Sequence, residues 1–589
     1  MSAATSVTYN SATIHSLIIK RFRGIKTLSW HPTNGVNVIL GGGDVGKTTI
    51  LDALALLFSP TNSTALSDTD YYGRNEKERF EINAIMALPA STEISKQLKP
   101  AWPWEWNGTE AVPPSIDEET SPNNKPVYWL RARGTEDLEL IYEMIQPDGT
   151  ADGLSVALRR AIGLVRLGGD DRNDRDLRLV QGSALDRLLS DKGLRSRLVS
   201  ELAKSDVKRE LTEDAKKALA ALDVSFKQRS LPQQLDLAIT GGQGLSVAAL
   251  IGLTAEREGV QLPLACWGSG TRRIAALAIA EQNQGEAPIT LVDEIERGLE
   301  PYRQRSLIEK LQTSKSQVFV TTHSPTAISA ASSSSLWYVD HTGKIGCLHQ
   351  TKLARHRKSD PEMFLARLAI VAEGITELGF ISTILGRAFP LPLQSYGIHI
   401  SDGGGHESAL GILEALAEGG LHFGGFVDEE GKHPTRWQSL EKSLGQLMFR
   451  WKSGCTEECI LASVKEEQFE DFLTHDDSHK TNFRLRTLAD RLSLQEKDFA
   501  AIKAKAGNGL RQLITEAATG SIPSTVKEEE KKQYKAHAGT WFKSVDGGQE
   551  LAEKVLSLGI WPTLKPEIIP FCNAVRRAVA MEESEDITQ

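Results

Sequence analysis

Gly41-Gly42-Gly43-Asp44-Val45-Gly46-Lys47-Thr48 follows the apolar stretch Gly35–Leu40 and opens a helical pattern over Thr48–Phe58. It matches the spacing G-x-x-x-x-G-K-[ST] in full. Glycines let backbone N–H groups converge on phosphate oxygens, and the helix that follows adds the positive end of its dipole. Lys47 has the charge and reach for the β- and γ-phosphates, and the Thr48 hydroxyl suits a Mg²⁺ ion. Gly41, Gly46, Lys47, Thr48 and Thr49 are therefore the candidate cradle for ATP.

Working downstream, Ile289-Thr-Leu-Val-Asp293-Glu294 is an apolar strand that ends in two carboxylates. Asp293 suits the Mg²⁺ shell and Glu294 suits the base that polarises attacking water. Trp267-Gly268-Ser269-Gly270-Thr271-Arg272 is a second glycine-rich helix start, leading into Arg273–Glu281. Ser269 and Gly270 can touch phosphate only when another molecule supplies it. Val318-Phe-Val-Thr-Thr-His323 places a histidine after a further buried strand.

This order of parts resembles the ABC-type ATPases, of the group that includes SMC and RecF-like proteins. The resemblance implies that the glycine signature of one protomer completes the site of another, so a homodimer or higher homo-oligomer is expected. It implies that His323 senses the γ-phosphate. Gly298-Leu-Glu-Pro301 resembles the loop after the second carboxylate, and Lys20-Arg21-Phe22-Arg23-Gly24 resembles the opening strand, with Arg23 near the nucleotide. Two departures stand out. The family often has Asn at the position of Gly43. The expected Gln is absent between Asp52 and Lys96, and Gln97 follows only in a polar stretch. Slow hydrolysis and a clamp or switch role are expected.

The last third holds a different constellation. Leu368-Ala-Ile-Val-Ala-Glu373-Gly374-Ile-Thr-Glu377 reads as strand, turn and helix start. Gly424-Gly-Phe-Val-Asp428-Glu429-Glu430 ends another apolar strand in three carboxylates, of which Asp428 and Glu430 point to one side of an extended chain. Glu373, Glu377, Asp428 and Glu430 are candidate ligands for hard cations, Mg²⁺ or Mn²⁺. Glu467 and Glu470, in Ser463–Glu470, offer a second acidic cluster or, equally, an exposed helix face.

This arrangement resembles a Toprim domain, with Asp-Glu-Glu where Asp-x-Asp is usual. An ABC-type ATPase joined to a Toprim domain resembles the OLD (overcoming lysogenization defect) nucleases, and Arg166–Leu189 is also similar to that family. The resemblance covers nearly the whole chain. It implies a metal-dependent DNA endonuclease with Glu373 and Asp428 catalytic. It also implies anti-phage defence, with a separately encoded partner such as a reverse transcriptase and its RNA or DNA product. The family's late catalytic lysine finds a candidate in Lys543, within Thr540-Trp-Phe-Lys543; a surface lysine beside a buried Trp541 is the alternative.

The bulk numbers bound these readings. The 589 residues suggest about three or four domains. A net charge of −9 argues mildly against nucleic acid, but acidic metal ligands lower the total and a local basic stripe suffices. Five cysteines fit no disulfide framework and point to a reducing, cytoplasmic setting. Cys455 and Cys459 lack a second metal-binding pair. Neither a signal peptide nor a membrane span is expected.

The expected fold class is α/β. An ABC-type ATPase (residues 1–182 and 256–350) carries a helical insertion or dimerisation arm (183–255), built on Leu185, Leu188, Leu189, Leu194, Leu198 and Leu202. A linker (351–364) leads to a Toprim domain with a helical end (365–589). Phe80–Leu88, Pro126–Arg133 and Leu138–Ile145 read as an antiparallel addition to the ATPase sheet, and Lys99–Asn124 as an irregular insertion.

Overall fold

The computed structural model describes residues 11–62, 65–92, 94, 101–114, 125–168, 176–180, 183–189, 211–239, 251–283, 288–522, 526, 531, 534 and 541–587. Leu194, Leu198, Leu202, Gln97 and Thr540 lie outside them. The chain divides into two compact units, residues 1–40 with 46–339, and residues 41–45 with 340–589.

The first unit is built on a parallel sheet. Its strands are β1 (Val36–Leu40), β2 (Leu164–Leu167), β3 (Ile289–Val292), β4 (Val318–Thr321) and β5 (Ser335–Val339), in the order β2-β3-β4-β1-β5. β1, β3 and β4 are buried at every position, which is why they read as unbroken apolar runs. The one amide in β1 is satisfied: Asn37 accepts the Thr33 N–H at 2.8 Å and the Trp337 indole N–H at 2.9 Å, and donates to Thr33 O. Helix α1 (Lys47–Leu57) follows β1, and α2 (Ser269–Asn283) precedes β3.

The antiparallel strands form their own sheet rather than extending the parallel one. Its main path runs Ile25–Trp30, Thr13–Phe22, Glu81–Ala87, Lys125–Gly134, Trp104–Trp106, Ala111–Val112. Gln317, fully buried at the start of β4, joins the two sheets through side-chain bonds to Ile14 N (2.8 Å) and Ile14 O (2.9 Å).

Three expectations need correction. The segment 101–114 is not irregular: Trp104–Trp106 pairs with Lys125–Val127, and the Trp104 indole donates to Ile145 O at 2.7 Å. The segment 183–255 is not wholly helical. Glu213–Gln228 is a helix, but Asp236–Ile239 and Ile251–Arg257 pair antiparallel, with Leu237 facing Leu253. Residues 351–364 are not a bare linker. Ala354–Ser359 is helical, Leu353, Met363 and Phe364 are buried, and the His399 ring bonds the Asp360 carboxylate at 2.9 Å.

The second unit has a four-stranded parallel sheet of β6 (Leu368–Ala372), β7 (Ile398–Asp402), β8 (Gly424–Val427) and β9 (Met448–Arg450), ordered β7-β6-β8-β9. Helices α3 (Ile375–Ala388), α4 (His406–Glu418) and α5 (Thr456–Ser463) start just beyond β6, β7 and β9. α3 packs closely on α6 (Val545–Ser557) because both carry glycine at the crossing. A Cβ at Gly379 would strike Val545 O, and one at Gly548 would strike Thr376 O. Among the described residues, no helix is long and apolar enough to cross a membrane.

Candidate functional site

Two groups of predicted residues come together, each at the carboxyl edge of a parallel sheet. In the first unit, β1, β4 and β3 are neighbours, so the chain leaving each of them arrives at one edge. The phosphate loop, whose residues 41–45 are grouped with the second unit, turns through positive φ at Gly41 (137°), Asp44 (59°) and Gly46 (95°). Gly46 is the residue before helix α1, and its backbone conformation is one that glycine adopts without strain. Lys47 is buried, Thr48 is exposed and Thr49 half-buried. The Thr48 hydroxyl donates to Asp293 Oδ1 at 3.2 Å, and Thr321 donates to the same oxygen at 2.6 Å. Hydroxyl and carboxylate thus converge at the start of α1, an arrangement that can hold a hard cation.

Glu294 follows with φ 48°, a left-handed backbone that costs a non-glycine residue about 1 kcal/mol or more. The Thr321 hydroxyl accepts the Glu294 N–H at 2.8 Å and fixes that turn. His323 is solvent-exposed at the end of β4, yet surrounding protein and then the charge of Lys47 hold its imidazole below the usual value. Ser269 and Gly270 open α2 against the loop after β3. A Cβ at Gly270 would strike Gly298 O. Arg23 pairs with Asp52 of α1 and, at 3.0 Å, with Asp70. Buried Arg273 donates to the carbonyls of Asp293 and Arg297, bracing this loop; burial lowers its guanidinium to about 10.

The second group lies where the strand order of the second sheet reverses, between β6 and β8. Crevices at the carboxyl ends of such strands are the usual binding position in open α/β sheets. Ala372 pairs with Phe426, so Glu373 and Asp428 leave adjacent strands together. The Asp428 N–H donates to Glu373 Oε2 at 3.1 Å. Glu377, in the first turn of α3, is buried with them. So is Glu457, in the first turn of α5, which the sequence reading did not single out. Asp428 Oδ1 accepts both the N–H and the hydroxyl of Thr456, each at 3.0 Å.

These carboxyls are all pushed upward. Burial is the first cause for Glu373, Glu377, Asp428 and Glu457. Mutual repulsion is the second for Glu377, from Glu457, and for Asp428, from Glu377. Glu373 is oriented further by His406, another residue the sequence reading missed. His406 Nδ1 lies 3.2 Å from Glu373 Oε2, and the Trp437 indole donates to His406 Nε2 at 3.3 Å. An indole only donates, so Nε2 is the acceptor and the neutral ring carries its proton on Nδ1, pointing at Glu373.

Atoms of Glu373, His406 and exposed Glu430 lie within 4.8 Å of one another. With both ring nitrogens of His406 engaged, the carboxylate oxygens are the donors that fit a hard divalent cation. Lys543 is exposed just before α6, and its charge reaches Glu457. It is held there by the glycine crossing of α3 and α6 and by the Thr376 hydroxyl, which donates to Phe542 O at 3.1 Å. Glu467 and Glu470 are exposed in Glu466–Gln468 and Phe469–Leu473. The buried acid that joins the strand-tip group is Glu457 instead. Burial pushes the Cys459 thiol up to about 12 and that of Cys455 further, which disfavours the thiolate a zinc ion needs.

A search of curated proteins finds no sequence match. Among solved structures, the chain is similar to an Smc head bound to the C-winged helix domain of ScpA. The identity is 16%, 58% of this chain and 99% of that one are covered, and the TM-score is 0.38. An Smc head domain with an extended coiled coil, bound to the C-terminal domain of ScpA derived from Pyrococcus furiosus, gives 14%, 58%, 98% and 0.36. The recombination mediator RecF, in a nucleotide-bound structure, gives 12%, 58%, 100% and 0.35. Residues 36–329 match the family model described as "AAA domain, putative AbiEii toxin, Type IV TA system". That span runs from the first residue of β1 past His323, so the phosphate loop that starts at Gly41, together with Asp293, Glu294 and His323, falls within the match to an ATPase domain.

Proposed function

We propose that the chain is an ATP-regulated, divalent-metal-dependent DNA endonuclease of the OLD type, with residues 365–589 as its Toprim nuclease domain. The observation that carries this is the gathering of four buried carboxyls, Glu373, Glu377, Asp428 and Glu457, at the reversal point of a parallel sheet, with Lys543 nearby. So many like charges are costly to bury without a counter-ion. Glu373, Asp428 and Glu430 would hold Mg²⁺ or Mn²⁺, with Glu377 and Glu457 behind them. Such ions, when bound, lower the pKa of water and stabilise the leaving oxygen of a phosphodiester. His406 keeps Glu373 oriented toward the site. Lys543 offers a cation to the phosphate as negative charge builds on it.

In the ATPase domain, Lys47 takes the β- and γ-phosphates, Thr48 and Asp293 take Mg²⁺, Glu294 polarises water and His323 meets the γ-phosphate. Ser269 and Gly270 serve the nucleotide of a second protomer, so the working form is at least a homodimer. Anti-phage defence in the cytoplasm, alongside a separately encoded partner, belongs to the same reading.

The test is cleavage of supercoiled plasmid with Mg²⁺ or Mn²⁺, with and without ATP. Glu373→Ala abolishes cleavage and leaves ATP hydrolysis intact. Equal cutting by parent and variant overturns the metal assignment. A parent that hydrolyses ATP and retains DNA but never cuts it indicates the alternative, a non-cleaving ABC-type switch with a degenerate Toprim module.

A further inference from the structure

The loop after β3 carries a third carboxylate to which the nucleotide reading assigns no task. Glu296 is half-buried, and both of its oxygens are engaged by the loop after β4. The Thr322 hydroxyl donates to Oε2 at 2.6 Å, and the His323 backbone N–H donates to Oε1 at 2.7 Å. Thr322 is fully buried, and its own oxygen accepts the Ser324 N–H at 2.9 Å. The Ser324 hydroxyl then donates to Gln304 at 2.5 Å. Two residues earlier the bonds run in both senses. The Thr321 hydroxyl, from the β4 side, accepts Glu294 N–H and donates to Asp293 Oδ1. The loop bearing the paired carboxylates and the loop bearing the histidine are thus laced by four side-chain bonds. Glu296 supplies the pair that fixes the histidine's own backbone.

A carboxylate suits this position better than its amide. It has two acceptor oxygens and meets two donors, and bonds to an ionised acceptor are the stronger kind. Glutamine offers one acceptor and a partial replacement. Alanine leaves a buried hydroxyl and a loop N–H without their shared anchor. The adjacent Ile295 N–H to Thr321 O bond, 3.1 Å, continues the strand ladder and would survive either change.

We propose that Glu296 is a positioning residue for the nucleotide reaction. It holds His323 in register with Glu294, so that the third phosphate is sensed where water is activated. This rests on the ATPase reading of residues 36–329 and adds a residue to it. Glu296 acts through the loop that carries His323, by the Thr322 hydroxyl and the His323 N–H, so its effect is selective. The γ-phosphate-dependent quantities change, and binding of the diphosphate does not.

The experiment uses the full chain with Mg²⁺. ATP and ADP affinities and the kcat of hydrolysis are measured for the parent, Glu296→Ala, Glu296→Gln and Thr322→Val. Glu296→Ala is expected to lower both kcat and the ATP-over-ADP preference by about tenfold, the size of a lost charge-assisted hydrogen bond. ADP affinity stays within about twofold. Glu296→Gln recovers part of the loss, and Thr322→Val, which removes one of the two bonds, falls between parent and alanine. Should Glu296→Ala fail to fold, Thr322→Val and Glu296→Gln carry the test. Unchanged kcat and preference in the variants overturn the proposal, as does an equal loss of ATP and ADP binding. A parent that binds neither nucleotide overturns the ATPase reading itself, an outcome distinguishable because it appears without any substitution.

Discussion

Asp428→Asn should make the protein more stable in the absence of divalent cations while removing its response to them. Asp428 is buried, and both burial and the charges of Glu377, Glu373 and Glu457 drive its carboxyl upward. Glu373 Oε2 accepts the Asp428 backbone N–H at 3.1 Å, which brings the two acids together. Two like charges about 5 Å apart repel by about 3 kcal/mol at an effective dielectric near 20, and by less than about 1 kcal/mol in water. Protonation caps the cost, since the group can take up a proton instead of bearing the full repulsion. A gain of about 1–3 kcal/mol follows for the asparagine variant, whose Oδ1 still accepts the two Thr456 bonds. For a unit of this size that is about 2–10 °C in melting temperature.

The pH dependence has a definite sign. A carboxyl whose folded pKa lies above its unfolded value costs stability as pH rises past the unfolded value, and the cost grows until the folded value is reached. In EDTA the parent should therefore lose stability from about pH 4 up to about pH 10, the value to which the Asp428 carboxyl is pushed, and the variant should lose less. Saturating cation restores the parent by about 2.7 kcal/mol at a hundredfold excess over Kd. Thermal melts in EDTA and in millimolar Mg²⁺ or Mn²⁺, at both ends of that range, measure each quantity. A variant that melts below the parent in EDTA, or keeps the parent's full cation response, refutes the counter-ion argument.

Other consequences are as direct. Glu294→Gln should lower the kcat of ATP hydrolysis by about 10²–10⁴ while ATP still binds, because only the proton acceptor is lost; hydrolysis beside nucleotide binding checks it. His406→Phe removes the Nδ1 donor from Glu373 and should weaken cation affinity by about 10- to 100-fold, read by calorimetric Mn²⁺ titration. Gly548→Ala pushes a Cβ into Thr376 O, so α3 and α6 must separate. A loss of about 1–3 kcal/mol is expected, together with reduced cleavage, because Lys543 sits just before α6.

Much of both sites was legible because each stands on a fully buried strand. Val36–Leu40, Ile289–Val292, Val318–Thr321, Leu368–Ala372 and Gly424–Val427 are short, mostly apolar runs that end in glycines or polar residues, and in each case the structure places the strand within a residue of its expected limits. The missing site residues follow strands without that signature. His406 comes after Ile398-His-Ile-Ser-Asp402, which is only partly buried, and Glu457 after the three-residue strand Met448–Arg450. The run Gly403-Gly404-Gly405 before His406 was the available cue, since Gly404 and Gly405 have φ of 73° and 99°. The leucine-rich stretch 183–255 misled for another reason. Local periodicity describes Glu213–Gln228, but the pairing of Leu237 with Leu253 is set by partners sixteen residues apart.

The two carboxylate groups solve the same problem differently, and the difference bears on which one depends on metal. Asp293 is answered by hydroxyls: Thr48 and Thr321 both donate to its Oδ1, so its charge is solvated by the protein before any cation arrives. The strand-tip acids of the second unit are answered mainly by one another. Four buried carboxyls share the Thr456 donors, the Asp428 N–H, the His406 N–H, the Cys455 thiol and the backbone N–H groups of Glu377 and Glu457, and the nearby cation, Lys543, stays exposed. A fold that packs acids so tightly against acids sacrifices stability that apolar side chains at the same positions would retain. That sacrifice is consistent with a bound counter-ion. The nucleotide site should therefore keep its shape in EDTA, and the second site should be where chelation is felt.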